Sequence, residues 1–180
     1  MKPVLTIHEV DEWMLGLPLH EYTLTFDDGL FTQYMYFDEL KRIDTHKIFF
    51  ISTGIVAEET TEQSSEFITC EDAHQKLLTT SNLEHYMNWS QIHEIHEHPQ
   101  CEIGGHSHMH IRHTGFNSVN DTRLMMNTFH EQGINPESFC FPYNDMNPVY
   151  KCVLEQSGFK KFYGDERLDI YDLLHSTVSR

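Results

Sequence analysis

Positive charge is scarce in this chain. Lys and Arg number 12 against 28 Asp and Glu in 180 residues, a formal net charge of −16 with histidine neutral. Such a surface repels phosphate backbones and anionic lipid headgroups, so neither nucleic acid nor membrane is expected as a partner, and neutral or cationic substrates are favoured. Long apolar runs are missing as well, none nearing the roughly 20 residues a membrane-spanning helix requires. The opening run Val4-Leu5-Thr6-Ile7 ends at His8 and Glu9, too short for a secretory signal, and a soluble, cytoplasmic protein is expected. Cysteine is limited to Cys70, Cys101, Cys140 and Cys152, scattered and without a CxxC pair, which argues against a disulfide framework and for free thiols. No repeat, low-complexity tract or linker divides the chain. Residues 1–180 are expected to form a single domain, able to bury about 70% of its unfolded surface.

What is present is an alternation of two hydrophobic periods. Short apolar and β-branched runs bounded by turn residues predict strands at Val4 to Val10, Tyr22 to Phe26, Lys47 to Thr53, Glu102 to Gly105, Ser138 to Tyr143, Phe159 to Tyr163 and Leu173 to Val178. Helical spacing predicts helices over Phe31 to Ile43, Cys70 to Thr80, Asn88 to His98, Val119 to Gln132 and Asn147 to Gln156. The polar stretch Ala57 to Thr69 reads as a surface loop able to carry substrate contacts. Strand and helix in turn specify an α/β fold with a parallel sheet buried on both faces, open or closed into a barrel.

In such folds reactive groups gather where strands end at their carboxyl edge. Thr25-Phe26-Asp27-Asp28-Gly29 closes one predicted strand, and Gly105-His106-Ser107-His108-Met109-His110 closes another. Two carboxylates and two imidazoles are donors that can hold one divalent metal and leave a base beside it, so a metal-dependent hydrolase is the first expectation. If a helical turn follows Gly105, His106 and His110 share a face and reach the same ion, while His108 points elsewhere. Asp27 and Asp28 could instead cap the following helix, as Asp does well. The histidines at 93, 96 and 98 do not fit a zinc-protease helix, because His93 and His96 are three apart rather than four. Most of the 14 histidines are dispersed, which disfavours metal storage.

Taken in order, these motifs resemble the polysaccharide deacetylase family, the carbohydrate esterases related to nodulation chitooligosaccharide deacetylases. Thr25 to Gly29 resembles the first family motif and His106 to His110 the second, His-Ser/Thr-x-x-His; Ser138-Phe139-Cys140-Phe141-Pro142-Tyr143 is similar to an aromatic-Pro-Tyr variant of the third. The likeness runs over residues 4–165. It implies an irregular (β/α)7-type barrel and removal of acetyl groups from an N- or O-acetylated sugar or polysaccharide. It further implies Asp27 as general base and Asp28, His106 and His110 as ligands of a divalent metal, zinc first. Pro142 and Tyr143 would bind substrate, Tyr143 through a backbone N–H to the oxyanion. The chain departs from the pattern in three places. The arginine that many members place in the third motif to orient the base is absent, Cys140 standing nearest; Asn144 replaces a glycine; and His175, in Leu173-Leu174-His175, is the candidate general acid although it follows closely on Gly164. A carbohydrate-binding relative with weakened turnover is the alternative these departures suggest, and the lack of an export signal suggests another, an amidohydrolase acting on a small non-sugar amide in the cytoplasm.

Overall fold

The computed structural model describes residues 2–114 and 116–177, the side chains of 175–177 excepted. Its strands are β1 (Val4–Ile7), β2 (Thr23–Phe26), β3 (Lys47–Ile51), β4 (Cys101–Gly105), β5 (Ser138–Cys140), β6 (Lys161–Tyr163) and β7 (Leu168–Asp169). Its α-helices are α1 (Phe31–Met35), α2 (Phe37–Leu40), α3 (Cys70–Thr80), α4 (Trp89–His96), α5 (Asn117–Glu131), α6 (Pro148–Gln156) and α7 (Ile170–Thr177). Among the described residues the strands form one sheet in the order β6-β5-β4-β3-β2-β1-β7, every neighbouring pair parallel. The sheet curls into an incomplete barrel with β6 and β7 at its two edges, as expected of the (β/α)7 type.

Strand alternation sorts the core. Phe49 and Ile51 of β3 join Leu24 and Phe26 of β2 in the main hydrophobic cluster with Ile92 and Ile95 of α4, whereas Ile48 and Phe50 face the other way, against Cys140 and Tyr163. Each such side chain, fully buried, contributes about 1.5–3 kcal/mol relative to exposure. β3 is buried along its whole length, its first residue being Lys47. Lys47 Nζ is tolerated there because it donates to the Ile43 and Thr45 carbonyls at 2.7 and 2.9 Å. The same alternation in β2 turns Thr25 and Asp27 away from the helices, toward the concave side where the strand ends collect.

Three elements differ from the sequence expectation. The tail Leu173 to Val178, with its β-branched end, reads as a strand, yet Ile170 to Thr177 is helix α7; Ile170 and Leu173, three residues apart, both pack on the core, a spacing that suits a helix. The last strand is instead the short β7, which pairs with β1. The helix expected over Phe31 to Ile43 is broken at Tyr36 (φ −100°, ψ 15°) into α1 and α2. α3 and α4 fall where spacing placed them, α4 opened by a capping box between Asn88 and Gln91. No helix among the described residues is long and apolar enough to cross a membrane.

Candidate active site

The carboxyl ends of β2 and β4 meet the segment after β5 at a cleft of about 410 Å³. Asp27, Asp28, His106 and His110 line its floor, α3 supplies one side through His74 and Leu78, and Phe141 and Tyr143 supply another. Backbone geometry sets the floor. Asp28 and Gly29 both take left-handed backbone, φ +71° and +70°, so the chain turns sharply out of β2 and the two carboxylates diverge. For a non-glycine residue such a conformation costs about 1–2 kcal/mol, a strain held in place by the surrounding packing. Gln33 secures the turn, its Nε2 donating to the Asp27 carbonyl at 2.6 Å and the His8 carbonyl at 2.7 Å.

The histidine segment is not the helical turn that the i, i+4 spacing suggested. Ser107 and His110 are left-handed, φ +69° and +51°, and it is this irregular path that brings both rings to one carboxylate. His106 Nε2 and His110 Nε2 each lie 3.2 Å from Asp28 Oδ1. Asp121 of α5 fixes the segment, its carboxylate accepting the N–H of His108 at 2.7 Å and of Met109 at 3.0 Å. His108 points away as expected, with Nδ1 2.8 Å from Thr53 Oγ1.

Asp28, His106 and His110 place one ligand atom each within 4.8 Å of one another. Asp28 Oδ1 is buried and makes no hydrogen bond. His106 Nδ1 lies 2.8 Å from the Cys140 carbonyl, which puts the proton on Nδ1 and leaves Nε2 free as a ligand. Burial disfavours charge on Asp28, yet the two imidazoles beside it hold its carboxyl well below the usual range. A divalent cation fits this donor set: it would satisfy the orphaned oxygen and the free Nε2 of His106, with His110 Nε2 as the third donor.

Asp27 is held differently. Arg167, from the connection between β6 and β7, donates Nη1 to Oδ1 at 2.8 Å and Nη2 to Oδ2 at 2.7 Å, a bidentate pair in which both side chains are almost wholly buried. The same guanidinium reaches Thr25 Oγ1 at 3.1 Å and the Gly164 carbonyl at 3.0 Å. Burial alone would raise the Asp27 pKa; the charge and hydrogen bonds of Arg167 overcome it and bring the carboxyl down to about 2. Cys140 stands 3.5 Å from Asp27 Oδ2 as a weak donor, and burial pushes its thiol well above the ordinary value, so it remains neutral. The guanidinium missing from the third motif is thus supplied from another strand end. Its sequence signal was its place, just past a strand's carboxyl edge in Gly164-Asp165-Glu166-Arg167.

At the rim, Pro142 is buried and opens a single 3-10 turn, while Tyr143 is exposed. Tyr143 and Asn144 are both left-handed, φ +59° and +56°, so asparagine serves where a glycine was expected. The Tyr143 ring lies 4.7 Å from that of His110, and the Arg112 guanidinium sits 4.1 Å above it. His175 belongs by backbone to α7, and its side chain lies outside the described residues. Sequence reasoning also passed over His74 and His8; His8 Nε2 is 3.8 Å from Asp27 Oδ2.

No family model and no curated protein matches the chain. Solved structures do. IcaB from Ammonifex degensii is 18% identical with a TM-score of 0.65, the match covering 93% of this chain and 84% of that one. The fold is that of the polysaccharide deacetylases. The deacetylase domain of BpsB from Bordetella bronchiseptica is 14% identical, TM-score 0.62, over 93% and 94% of the two chains. The Streptococcus pyogenes deacetylase PplD, solved with acetate, is 11% identical, TM-score 0.61, over 97% and 96%. The deacetylase fold is therefore shared along nearly the whole chain at identities that carry architecture alone.

Proposed function

We propose that this protein is a metal-dependent hydrolase that removes acetyl groups from an N-acetylated or O-acetylated sugar or polysaccharide. The observation that carries the reading is the meeting of Asp28, His106 and His110 around an unsatisfied buried oxygen, beside an ionised Asp27 clamped by Arg167. Support for the substrate class comes from the deacetylase fold and from a cleft rimmed by exposed Leu78 and Tyr143, apolar surfaces of the kind sugar rings pack on.

A divalent cation held by Asp28, His106 and His110, zinc first, would act as a Lewis acid on the acetyl carbonyl and as an acidifier of water. The chain's own residues do the rest. Asp27 accepts the proton of the attacking water. Arg167 uses one lone pair on each of its oxygens and leaves others free, so the carboxylate is fixed in orientation without being blocked. General-base participation of this kind contributes about a hundredfold to ten-thousandfold. A backbone N–H of Tyr143 stabilises the oxyanion, and Pro142 sets the turn that presents it. His175 is the proposed donor of a proton to the leaving amine.

The binding-only alternative drew on a missing arginine, and Arg167 supplies that charge to Asp27. An amidohydrolase acting on a small acetamide draws support from α3, which bounds the cleft on one side. Acetate release from an N-acetylglucosamine oligomer and from a small acetamide, with metal content measured in parallel, tests the proposal. Asp27→Asn is expected to lose turnover by at least about a hundredfold with metal retained, and His106→Ala to lose both. An active Asp27→Asn protein would remove Asp27 from its role, and a wild-type protein releasing no acetate from either substrate would overturn the enzyme reading.

A further inference from the structure

A row of planar side chains joins the two walls of the cleft. The His74 ring of α3 stacks on the His110 ring with centroids 4.6 Å apart, and the His110 ring meets that of Tyr143 at 4.7 Å. The Arg112 guanidinium prolongs the row, 4.1 Å above the Tyr143 ring. Aromatic rings in contact have centroids about 4.5–7 Å apart, so both ring junctions are closed and no sugar ring passes between them. The row therefore shuts one end of the cleft, from α3 across one of the metal-site histidines to the rim, where Arg112 is exposed.

The helix at the inner end of the row is firmly held. Cys70, Glu71, His74, Gln75 and Leu78 all line the cleft, at steps of one and three residues. Such steps put them on one face, a wall about 12 Å long at 1.5 Å per residue. Beneath that face Ala73 packs with Leu30, Ile55 and Tyr86. The Cys70 N–H donates to Glu9 Oε2 at 3.0 Å, and Lys76 pairs with Glu84. The His74 ring is fixed by its own helix, Nδ1 donating to the Cys70 carbonyl at 3.0 Å.

Size agrees with a closed end. The cleft holds about 410 Å³, toward the lower limit of the about 300–1,000 Å³ usual for sites that enclose a small molecule. An acetylated unit inside a polymer must extend out of its site in two directions. A unit at a chain end extends in one, and a monosaccharide in none.

We propose that the row of His74, His110, Tyr143 and Arg112 is an end stop, so that the protein acts on a short acetylated sugar or on the last unit of a chain rather than on units inside a polysaccharide. The proposal rests on the deacetylase reading above and narrows its substrate. His74 and Arg112 take no part in the chemistry; they set which sugars reach it.

The test measures acetate release by the full chain from N-acetylglucosamine, its dimer and its hexamer, with the position of each lost acetyl group located by fragment mass spectrometry. For wild type, kcat/KM is expected to rise by no more than about threefold from dimer to hexamer, and any acetate the hexamer loses comes from an end. His74→Ala opens the junction with α3 and Arg112→Ala shortens the row at its exposed end. Each is expected to raise the hexamer-to-dimer ratio of kcat/KM by at least about threefold and to admit loss from inner units. Arg112→Ala, a surface change, serves should His74→Ala fail to fold. A steeper rise in wild type, acetate lost from inner units, or wild-type selectivity in the folded variants overturns the end stop and leaves the deacetylase reading standing. Release from none of the three sugars refutes the deacetylase reading itself.

Discussion

Arg167 and Asp27 form a pair whose two members depend on each other. Both side chains are nearly inaccessible, and removing the cation strands a carboxylate out of water. Arg167→Met is therefore expected to cost about 3–5 kcal/mol of unfolding free energy, measured by denaturant titration. The pH consequence has a definite sign. A carboxyl lowered from 3.8 to about 2 adds stability that is fully present above its unfolded pKa and is lost as pH falls toward 2. Without Arg167 the burial that raises this pKa is opposed only by the weaker pull of His106 and His8, so the acid limb of the pH–rate profile should move to higher pH in the variant; an unmoved limb would show that Arg167 does not tune the base. At this scale Asp27, Asp28, His106 and His110 were legible because their types and spacing are the chemistry itself. Arg167 was not, since its partner lies 140 residues away and only the curl of the sheet brings them together. His74 lines the cleft from α3 and was hidden because it is one histidine in a helix of ordinary pattern.

Helices and strands were legible where one period dominates. α3 and α6 satisfy clear starts, Thr69 capping the first and Asn147 the second. α7 was misread because local β-branched composition was overruled by the face it packs on the core. The histidine segment was misread in conformation but not in destination: i, i+4 spacing suggested a helix, whereas two left-handed residues do the same work. β4 shows how tightly an element can be constrained. A Cβ on Gly104 would lie 2.6 Å from Phe50 Cδ1 and 2.9 Å from the Ser138 carbonyl oxygen. Gly104→Ala should thus spread β4 from β5 and cost about 1–3 kcal/mol, with displacement felt at His106 two residues on. Thermal unfolding checks the first effect and zinc affinity the second; wild-type values for both would show that the strand has room to spare.

Across the whole molecule, the parallel order of seven strands explains how residues from distant parts of the sequence share one cleft. Every strand points its carboxyl end the same way, so the exits of β2 and β4, the turn after β5 and the connection after β6 converge without any being adjacent in sequence. The barrel type was legible through motif resemblance, because alternation alone is equally compatible with an open doubly wound sheet. The excess of acidic residues, −16 overall, suits a neutral or amine-bearing substrate and a bound cation. All of this turns on one ion. An anomalous-difference map recorded at the zinc edge on crystals of the zinc-loaded protein is the direct measurement. The account predicts a single strong peak within about 2.0–2.2 Å of Asp28 Oδ1, His106 Nε2 and His110 Nε2. A map with no peak there, or with zinc seated elsewhere while these three side chains stay empty, would contradict it.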